Sequence, residues 1–583
     1  MANGNINSND LQNTCENNSL TTEIHKYRHD EKGNLYLLKE GKDLLVSEQY
    51  IEVIALTRTE EHSEWTKRIS FKDMDGNERF INIPCKILIE ARETQKMLVD
   101  AGFPMRCCNK SVIEYLKDIE PKERATQIRR AGWISDTEYI CPSFQIMNSD
   151  NKESFFLAGD TNNYGFSQKG SLEQWQERIC KKCEANYILT FALCVGLSGV
   201  LLRFFPTLGT KIINFVGKSS IGKTTALRVA ASMWGGLDFI RQWRATDNAH
   251  EGVAEYYNDA LMVLDELGQI DIKDVSQVIY MFGNERGKSR LTRGATLKKV
   301  KEWRLSILSS GEIGIADKIE EGGKKVKGGI LVRCIDIDVQ ISEELGIFNT
   351  LHDFESGAEF SNYLKNQVTE YHGVTAEEFI KGLCGKNSED IRKHYEDFQQ
   401  RIFNKFELQN ADCQVKRIAE TFALFLTAGV LASLDQLKVF THNTEGIELA
   451  IFAVFERFLE ERGGKKSYEE QEIIQHVLNF LMQYESRFRK IEENRDRMIN
   501  DCLGYMNVCS EKKTYYINPK PFREEICRGM NHKMVKKTLL RGELLRCDGN
   551  NKDPKCPSYI DSNRPRMVTL VVKISDDKNK EDI

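Results

Sequence analysis

Hydrophobic and polar positions change rhythm several times along the chain, and each change marks a region. Residues 1–25 are rich in Asn, Ser and Thr and poor in apolar groups, which predicts a disordered tail. From about 26 to 90 the apolar residues fall in short, strand-like runs. Arg68–Met74 and Asn77–Ile83 flank Asp75-Gly76, the pattern of a hairpin. Residues 85–130 have helical spacing, and Gly132-Trp133 opens another short strand region. Residues 26–165 are therefore expected to form an α+β domain.

Ser171 to Arg203 has the pattern of two helices. The longest apolar run, Ile188–Leu202, is fifteen residues and is broken by Thr190, Gly196, Ser198 and Gly199. A membrane span needs about 20 residues, so a buried helix and no membrane contact are expected. Ile212–Val216 is a short buried strand, and 217–340 alternates helix with strand, the parallel α/β pattern. Residues 166–345 are read as this core, and 346–465 as a helical region. In the latter, Phe360, Leu364, Val368 and Tyr371 share a face, with Gly373 as a C-cap. Ile418, Phe422, Phe425 and Gly429 repeat the period, and Gly463–Ser467 reads as a linker. In 466–583, helices over Pro519–Arg528 and Lys533–Arg541 and strands at Leu544-Leu545 and Met567–Ile574 predict a winged helix. Val535, Thr538 and Leu539 are expected to face inward.

Composition adds constraints. The 583 residues suggest about four domains. Hydrophobic residues at 40% and charged residues at 29% are ordinary for a soluble globular protein. None of the ten prolines lies between Pro206 and Pro519, which suits a compact, helix-rich middle. The sixteen cysteines show no repeated spacing and read as reduced thiols in a cytoplasm. Cys180 with Cys183, and Cys547 with Cys556 and His532, read as structural rather than as zinc ligands. The first residues, MANGNINSND, lack the pattern of a signal peptide.

The chemistry concentrates after the Ile212–Val216 strand. Gly217, Lys218, Ser219, Ser220, Ile221, Gly222, Lys223 and Thr224 match the P-loop pattern, with Thr225 closing the segment. Glycines let backbone N–H groups wrap phosphates, and the helix that follows points its positive end at them. ATP is the expected ligand. Lys223 is assigned to its β and γ phosphates, and the Thr224 hydroxyl to Mg2+. About forty residues on, Leu261–Glu266 is an apolar strand ending in two acids. Asp265 is assigned to the magnesium shell and Glu266 to polarising the attacking water. The strand Trp303–Leu308 leads into Ser309-Ser310-Gly311-Glu312, where Ser310 is the candidate for contact with the γ phosphate or the water. Arg333 lies among apolar residues, either in a structural ion pair or as an arginine finger for a neighbouring subunit.

Two segments are basic. Residues 286–304 hold eight bases and one acid, with Gly294-Ala295-Thr296 in the middle. They are expected to form a hairpin whose Arg290, Arg293, Lys298 and Lys299 grip phosphates; a solvated loop is the alternative. Residues 511–555 carry twelve bases and six acids. There Lys533, Lys537 and Arg541 form one helical stripe that faces DNA or a protein.

Taken together, Gly132-Trp133, Gly170 with Trp175, GKSSIGKTTAL, Trp243 with Thr246 and Asn248, LDELG at 264–268, Trp303-Arg304, SSGE at 309–312 and VRCID at 332–336 resemble the domain of unknown function 927 family of phage and mobile-element proteins. Within it, the chain is similar to the MCM-like AAA+ helicases of staphylococcal cassette chromosomes. The resemblance covers roughly 60–460. It implies an AAA+ ATPase core and a homo-hexameric ring moving on single-stranded or forked duplex DNA, with replication-initiation partners. It also implies the finger role for Arg333 and a second sensor arginine near Arg417. Ser310 departs from the threonine expected there. A non-unwinding AAA+ loader or switch is the competing reading; the basic hairpin inside the core disfavours it. The net charge of −5 hides basic segments of +7 and +6 within a body carrying −18.

Overall fold

The structure, a computed structural model, describes residues 26–39, 42–148, 154–158, 162–291, 297, 299–465, 467–491, 501–509, 512–549 and 552–573. The tail read at 1–25 lies outside them. The chain divides between Asn163 and Tyr164 into two units.

The first unit is built on a five-stranded sheet in the order Ser154–Leu157, Arg124–Ile128, Ile51–Thr59, Thr66–Lys72, Glu78–Pro84. The hairpin at Asp75-Gly76 is present, with Arg68 opposite Asn82 and Lys72 opposite Glu78. Alternation puts Ile51, Val53, Ile69, Phe71 and Ile83 in one core with the helices Ala91–Asp100 and Lys110–Asp118. The helical reading of 85–130 fails at Arg124–Ile128, which is a strand paired in parallel with Ile51–Thr59. Ala125, Thr126 and Ile128 are buried there, and burial between neighbouring strands overrides local spacing.

In the second unit the apolar helix is α1, Tyr187–Leu201, and every residue from Ile188 onward is buried. Phe191 meets Phe422 and Phe425 at ring-centroid distances of 5.3 and 5.6 Å. Together with the turn that follows it, Tyr187–Phe204 is apolar enough by length and composition to cross a membrane, yet protein covers 83% of that stretch. An all-apolar surface is what a helix enclosed on every side requires.

The next elements alternate: β1 Lys211–Val216, α2 Lys223–Ala231, β2 Ile240–Gln242, α3 Asp247–Tyr256, β3 Leu261–Asp265, α4 Val275–Gly283, β4 Ser306–Gly311, α5 Ile315–Glu321 and β5 Cys334–Asp338. The strands form one parallel sheet in the order β2-β3-β4-β1-β5. All carboxyl ends therefore lie on one edge, where open α/β sheets bind ligands.

The helical region contains α6 Gly357–Glu370, α7 Val374–Leu383, α8 Ser388–Lys405, α9 Cys413–Ser433 and α10 Thr444–Glu461. Phe360, Leu364 and Val368 are buried as expected. Gly373 is not the C-cap of α6, which is Tyr371; it is the N-cap of α7. Its φ is +81°, and a Cβ there would stand 1.8 Å from the Ser167 carbonyl oxygen. Gly373→Ala should cost about 3 kcal/mol from left-handed strain plus overpacking. Hydrogen exchange should then rise in peptides covering 167–169 and 372–376; unchanged protection would remove the close approach as a constraint.

The C-terminal part contains α11 Tyr468–Gln483, β6 Phe488–Lys490, β7 Gly504–Cys509, β8 Lys512–Ile517, α12 His532–Arg541, β9 Leu545–Arg546 and β10 Val568–Lys573. Val535, Thr538 and Leu539 face inward from α12. Strands β6, β7 and β8 extend the sheet to the order β6-β7-β8-β10-β9, beyond the two strands read from the sequence. The lysines of 511–520 obscured an alternation that buries Tyr515 and Ile517.

Candidate nucleotide site and basic hairpin

The P-loop leaves β1 and enters α2 through Gly222, whose φ is +109°. A Cβ there would come within 3.0 Å of Ile347, so glycine allows the loop to pack against 345–348. The Ile347 N–H donates to the Ile221 carbonyl at 3.0 Å, and Lys218 pairs with Glu343 at 2.6 Å. Lys223 lies along the loop and donates to the carbonyls of Gly217 and Lys218 at 2.6 and 2.5 Å. Burial pushes its pKa down, while Glu312, Glu266 and Asp265 oppose that shift.

Registers bring the acids to the loop. Leu264 pairs with Ser309, and Phe215 with Ser310, so Asp265 and Ser310 lie at adjacent strand tips beside β1. Ser310 Oγ donates to Asp265 Oδ1, and the Glu266 N–H donates to Ser310 Oγ at 3.3 Å. Thr224 Oγ1 donates to Asp265 Oδ2 at 3.5 Å. A hydroxyl and a carboxylate this close form an oxygen donor set that suits Mg2+. Glu266 adopts a left-handed φ of +64°, uncommon for a residue with a Cβ. The cavity is about 600 Å³ and is lined by Ser219–Thr225, Arg228, Glu266, Ser310 and Glu312 together with Glu343–Gly346, Phe348, Ser356–Ala358, Ser361 and Asn362.

The basic segment between α4 and β4 is paired as a hairpin. Arg286 stands opposite Glu302 and Leu291 opposite Leu297. The Gly287 N–H donates to the Lys301 carbonyl at 2.9 Å and the Trp303 N–H to the Glu285 carbonyl at 3.2 Å. These pairs share one antiparallel register with its midpoint in sequence at Gly294. Arg293, Lys298 and the Gly294–Thr296 turn lie outside the described residues.

Asp247, Glu251 and Glu255 recur every fourth residue along α3, one face of the helix. Lys288 pairs with Asp247 at 2.7 Å, Arg290 with Glu251 at 2.6 Å and Lys301 with Glu255 at 3.5 Å. Glu251 is buried, so Arg290 compensates a carboxylate that would be costly unpaired. The geometry makes Arg290 a strut between hairpin and helix. Lys299 is exposed.

Residues 26–302 match the family model described as domain of unknown function (DUF927). A solved structure titled "SCCmec type IV Cch - active helicase" is similar in fold, with a TM-score of 0.66 and 15% identity, covering 95% of this chain and 98% of that one. A second, of NtrX from Brucella abortus in complex with ATP, has a TM-score of 0.16 and 14% identity over 40% of this chain and 48% of that one, and carries no argument. No curated protein sequence matches the chain significantly. The matched stretch includes Gly217–Thr224, Asp265-Glu266 and the hairpin through Glu302, while Ser310 and Arg333 lie beyond it.

Several residues of the DUF927 resemblance are core. Trp175, Trp243 and Trp303 are fully buried. Trp243 Nε1 donates to Ser309 Oγ at 2.8 Å, Ser309 Oγ to Asn214 Oδ1 at 3.1 Å, and Asn214 Nδ2 to Asp336 Oδ1 at 2.7 Å. This chain of bonds crosses the sheet, and burial pushes the Asp336 carboxyl up to about 7. Sequence reading missed Asn214 and Asp336 as partners because 122 residues separate them.

Arg333 precedes β5, at the edge opposite the carboxyl ends. It donates to the Gly329 carbonyl at 2.8 Å and to Asn284 Oδ1 at 3.1 Å, and lies 5.1 Å from the Tyr280 ring centroid. Arg417 is exposed, and its charge acts on Lys211 at the start of β1, so it does not line its own chain's nucleotide cavity. Lys533 and Lys537 are exposed on α12, whereas Arg541 pairs with Glu470 at 2.6 Å. Cys180 and Cys183 are buried, with Cys180 Sγ 3.5 Å from His442 Nδ1.

Proposed function

We propose that the protein is an ATP-dependent DNA helicase of the MCM-like AAA+ type, acting as a hexameric ring in replication of a mobile element. The observation that carries this reading is the position of the basic hairpin. It leaves the sheet between β3 and β4, the strands whose tips hold Asp265, Glu266 and Ser310, and is braced on α3. The hairpin meets β4 at its amino end and Ser310 lies near its carboxyl end, so β4 is the element that would carry motion from the site to the hairpin. ATP occupies the cavity against the P-loop, Lys223 and Thr224, and magnesium is held by Thr224 and Asp265. When bound, the metal supplies charge neutralisation on the phosphates. Glu266 orients the attacking water, Ser310 fixes Asp265, and Arg333 enters the site of a neighbouring subunit. The α11–β10 region acts as a winged helix whose α12 offers Lys533 and Lys537 to DNA or to the ATPase.

Lys288, Arg290 and Lys301 pair with α3, and we assign phosphate contact to the other candidates read from the sequence, Arg293, Lys298 and Lys299. Lys298→Ala/Lys299→Ala should reduce strand displacement on a forked duplex by about tenfold or more, through lost phosphate contacts, while ATPase without DNA stays near the parental rate. Unwinding at the parental rate would remove the hairpin from the mechanism. Failure of the parent to displace any strand, with DNA-stimulated ATPase intact, would favour a non-unwinding switch.

A further inference from the structure

The open face of the first unit's sheet has the chemistry of a second ligand site. Alternation that sends Ile69, Phe71 and Ile83 into the core sends Arg68, Phe80 and Asn82 to the opposite face. The Arg68 guanidinium lies 4.5 Å from the Phe156 ring centroid and 5.3 Å from that of Phe80. Two aromatic faces stabilise the cation but accept none of its N–H bonds in the plane. Among the described residues Arg68 has no hydrogen-bond or ion-pair partner, and burial lowers its pKa with no acid opposing the shift. Asn82, directly opposite in the register, has a buried Oδ1 without a partner among the described residues. These groups line a cavity of about 730 Å³, whose described lining includes Arg68 and Arg79 and no acid. Arg79 is paired with Asp73 at 2.9 Å, which leaves Arg68 as the donor aimed at a ligand. Phe80 is 53% exposed and presents a flat apolar surface beside that cation.

We propose that this face binds a nucleotide unit, with its phosphate on Arg68, a sugar hydroxyl or base N–H donating to Asn82 Oδ1, and its base on the exposed Phe80 ring. A guanidinium with free donors matches a phosphate in bidentate geometry, and bases stack on aromatic side chains without sequence preference. The cavity is within the range that encloses a ligand of this size. Two sources share this chemistry: a free nucleotide and a unit of single-stranded DNA. The site lies wholly within the first unit and needs neither ATP hydrolysis nor unwinding, so it stands or falls apart from the proposed helicase activity.

The test uses the full chain carrying Lys223→Ala, so that P-loop binding does not contribute. Titration calorimetry with dTMP, and photocrosslinking with an oligonucleotide bearing 5-iododeoxyuridine, are compared in this protein and after adding Arg68→Ala or Phe80→Ala. The expected result is dTMP binding, or a crosslink to the peptide containing Phe80 or Phe156, weakened at least tenfold by either change. Calorimetric binding without a crosslink assigns the free nucleotide, and a crosslink without calorimetric binding assigns single-stranded DNA; both support the site. Phe80→Ala removes an exposed ring and should leave the thermal midpoint unchanged, which keeps the test valid if Arg68→Ala fails to fold. Absence of both signals, or signals insensitive to Phe80→Ala, would overturn the proposal.

Discussion

Arg333→Ala should lower ATP turnover by on the order of 10³–10⁵, the effect of removing an arginine finger, while ATP binding is retained. The geometry gives the reason. Arg333 precedes β5, whereas the nucleotide cavity opens at the carboxyl ends of the strands. Five residues at about 3.3 Å each put roughly 17 Å of strand between that position and the edge where the P-loop lies. The residue is therefore badly placed to serve its own site, which is what the proposed role in a neighbouring subunit requires. Its guanidinium is oriented by Gly329, Asn284 and the Tyr280 ring, and its Nε has no partner among the described residues. The decisive measurement mixes two inactive variants. Lys223→Ala retains the finger and Arg333→Ala retains the P-loop, so a mixed ring regains partial ATPase where the intact halves meet. Mixtures as inactive as their components, or near-parental turnover by Arg333→Ala alone, would sink the shared-site mechanism.

Glu266→Gln should reduce turnover by on the order of 10²–10⁴, the span of a general base, with ATP affinity nearly unchanged. Glutamine keeps the size and the backbone N–H bond to Ser310 but cannot take a proton. A left-handed φ at a residue with a Cβ costs roughly 1–2 kcal/mol. At Glu266 that conformation occurs in a residue lining the nucleotide cavity, the setting in which such strain accompanies function. Single-turnover hydrolysis and binding of a non-hydrolysable ATP analogue separate the two quantities. Hydrolysis near the parental rate would take the water-orienting role from Glu266. Loss of nucleotide binding in step with turnover would mean that the carboxylate holds ligand rather than activates water.

The parts of the site that could be read in the sequence are contiguous. Eight consecutive residues from Gly217 supply the loop, and Asp265-Glu266 end an apolar run. The hairpin was legible too, because its basic arms flank Gly294-Ala295-Thr296 in the sequence. Its charges were not. The eight bases of 286–304 read as a phosphate grip until α3 is seen to pair Lys288, Arg290 and Lys301. The acids of α3 are 39 to 46 residues away in sequence from their bases, and no spacing rule connects the two segments. The strand at Arg124–Ile128 was misread for a related reason: the neighbours that stabilise it lie at Ile51–Thr59 and Ser154–Leu157.

By itself, then, the sequence determined what short-range chemistry controls: the phosphate-binding loop, the parallel α/β alternation, the buried apolar helix and the hairpin. A helix period, a turn or a run of backbone N–H groups needs only neighbours along the chain. Tertiary structure alone decided which bases of the hairpin pair with α3, which edge of the sheet Arg333 occupies, and that Arg68 stands without an ion-pair partner among the described residues between two rings. Those outcomes depend on Coulomb pairing and desolvation between segments remote in sequence. Both fall off with distance in space, whatever the separation along the chain.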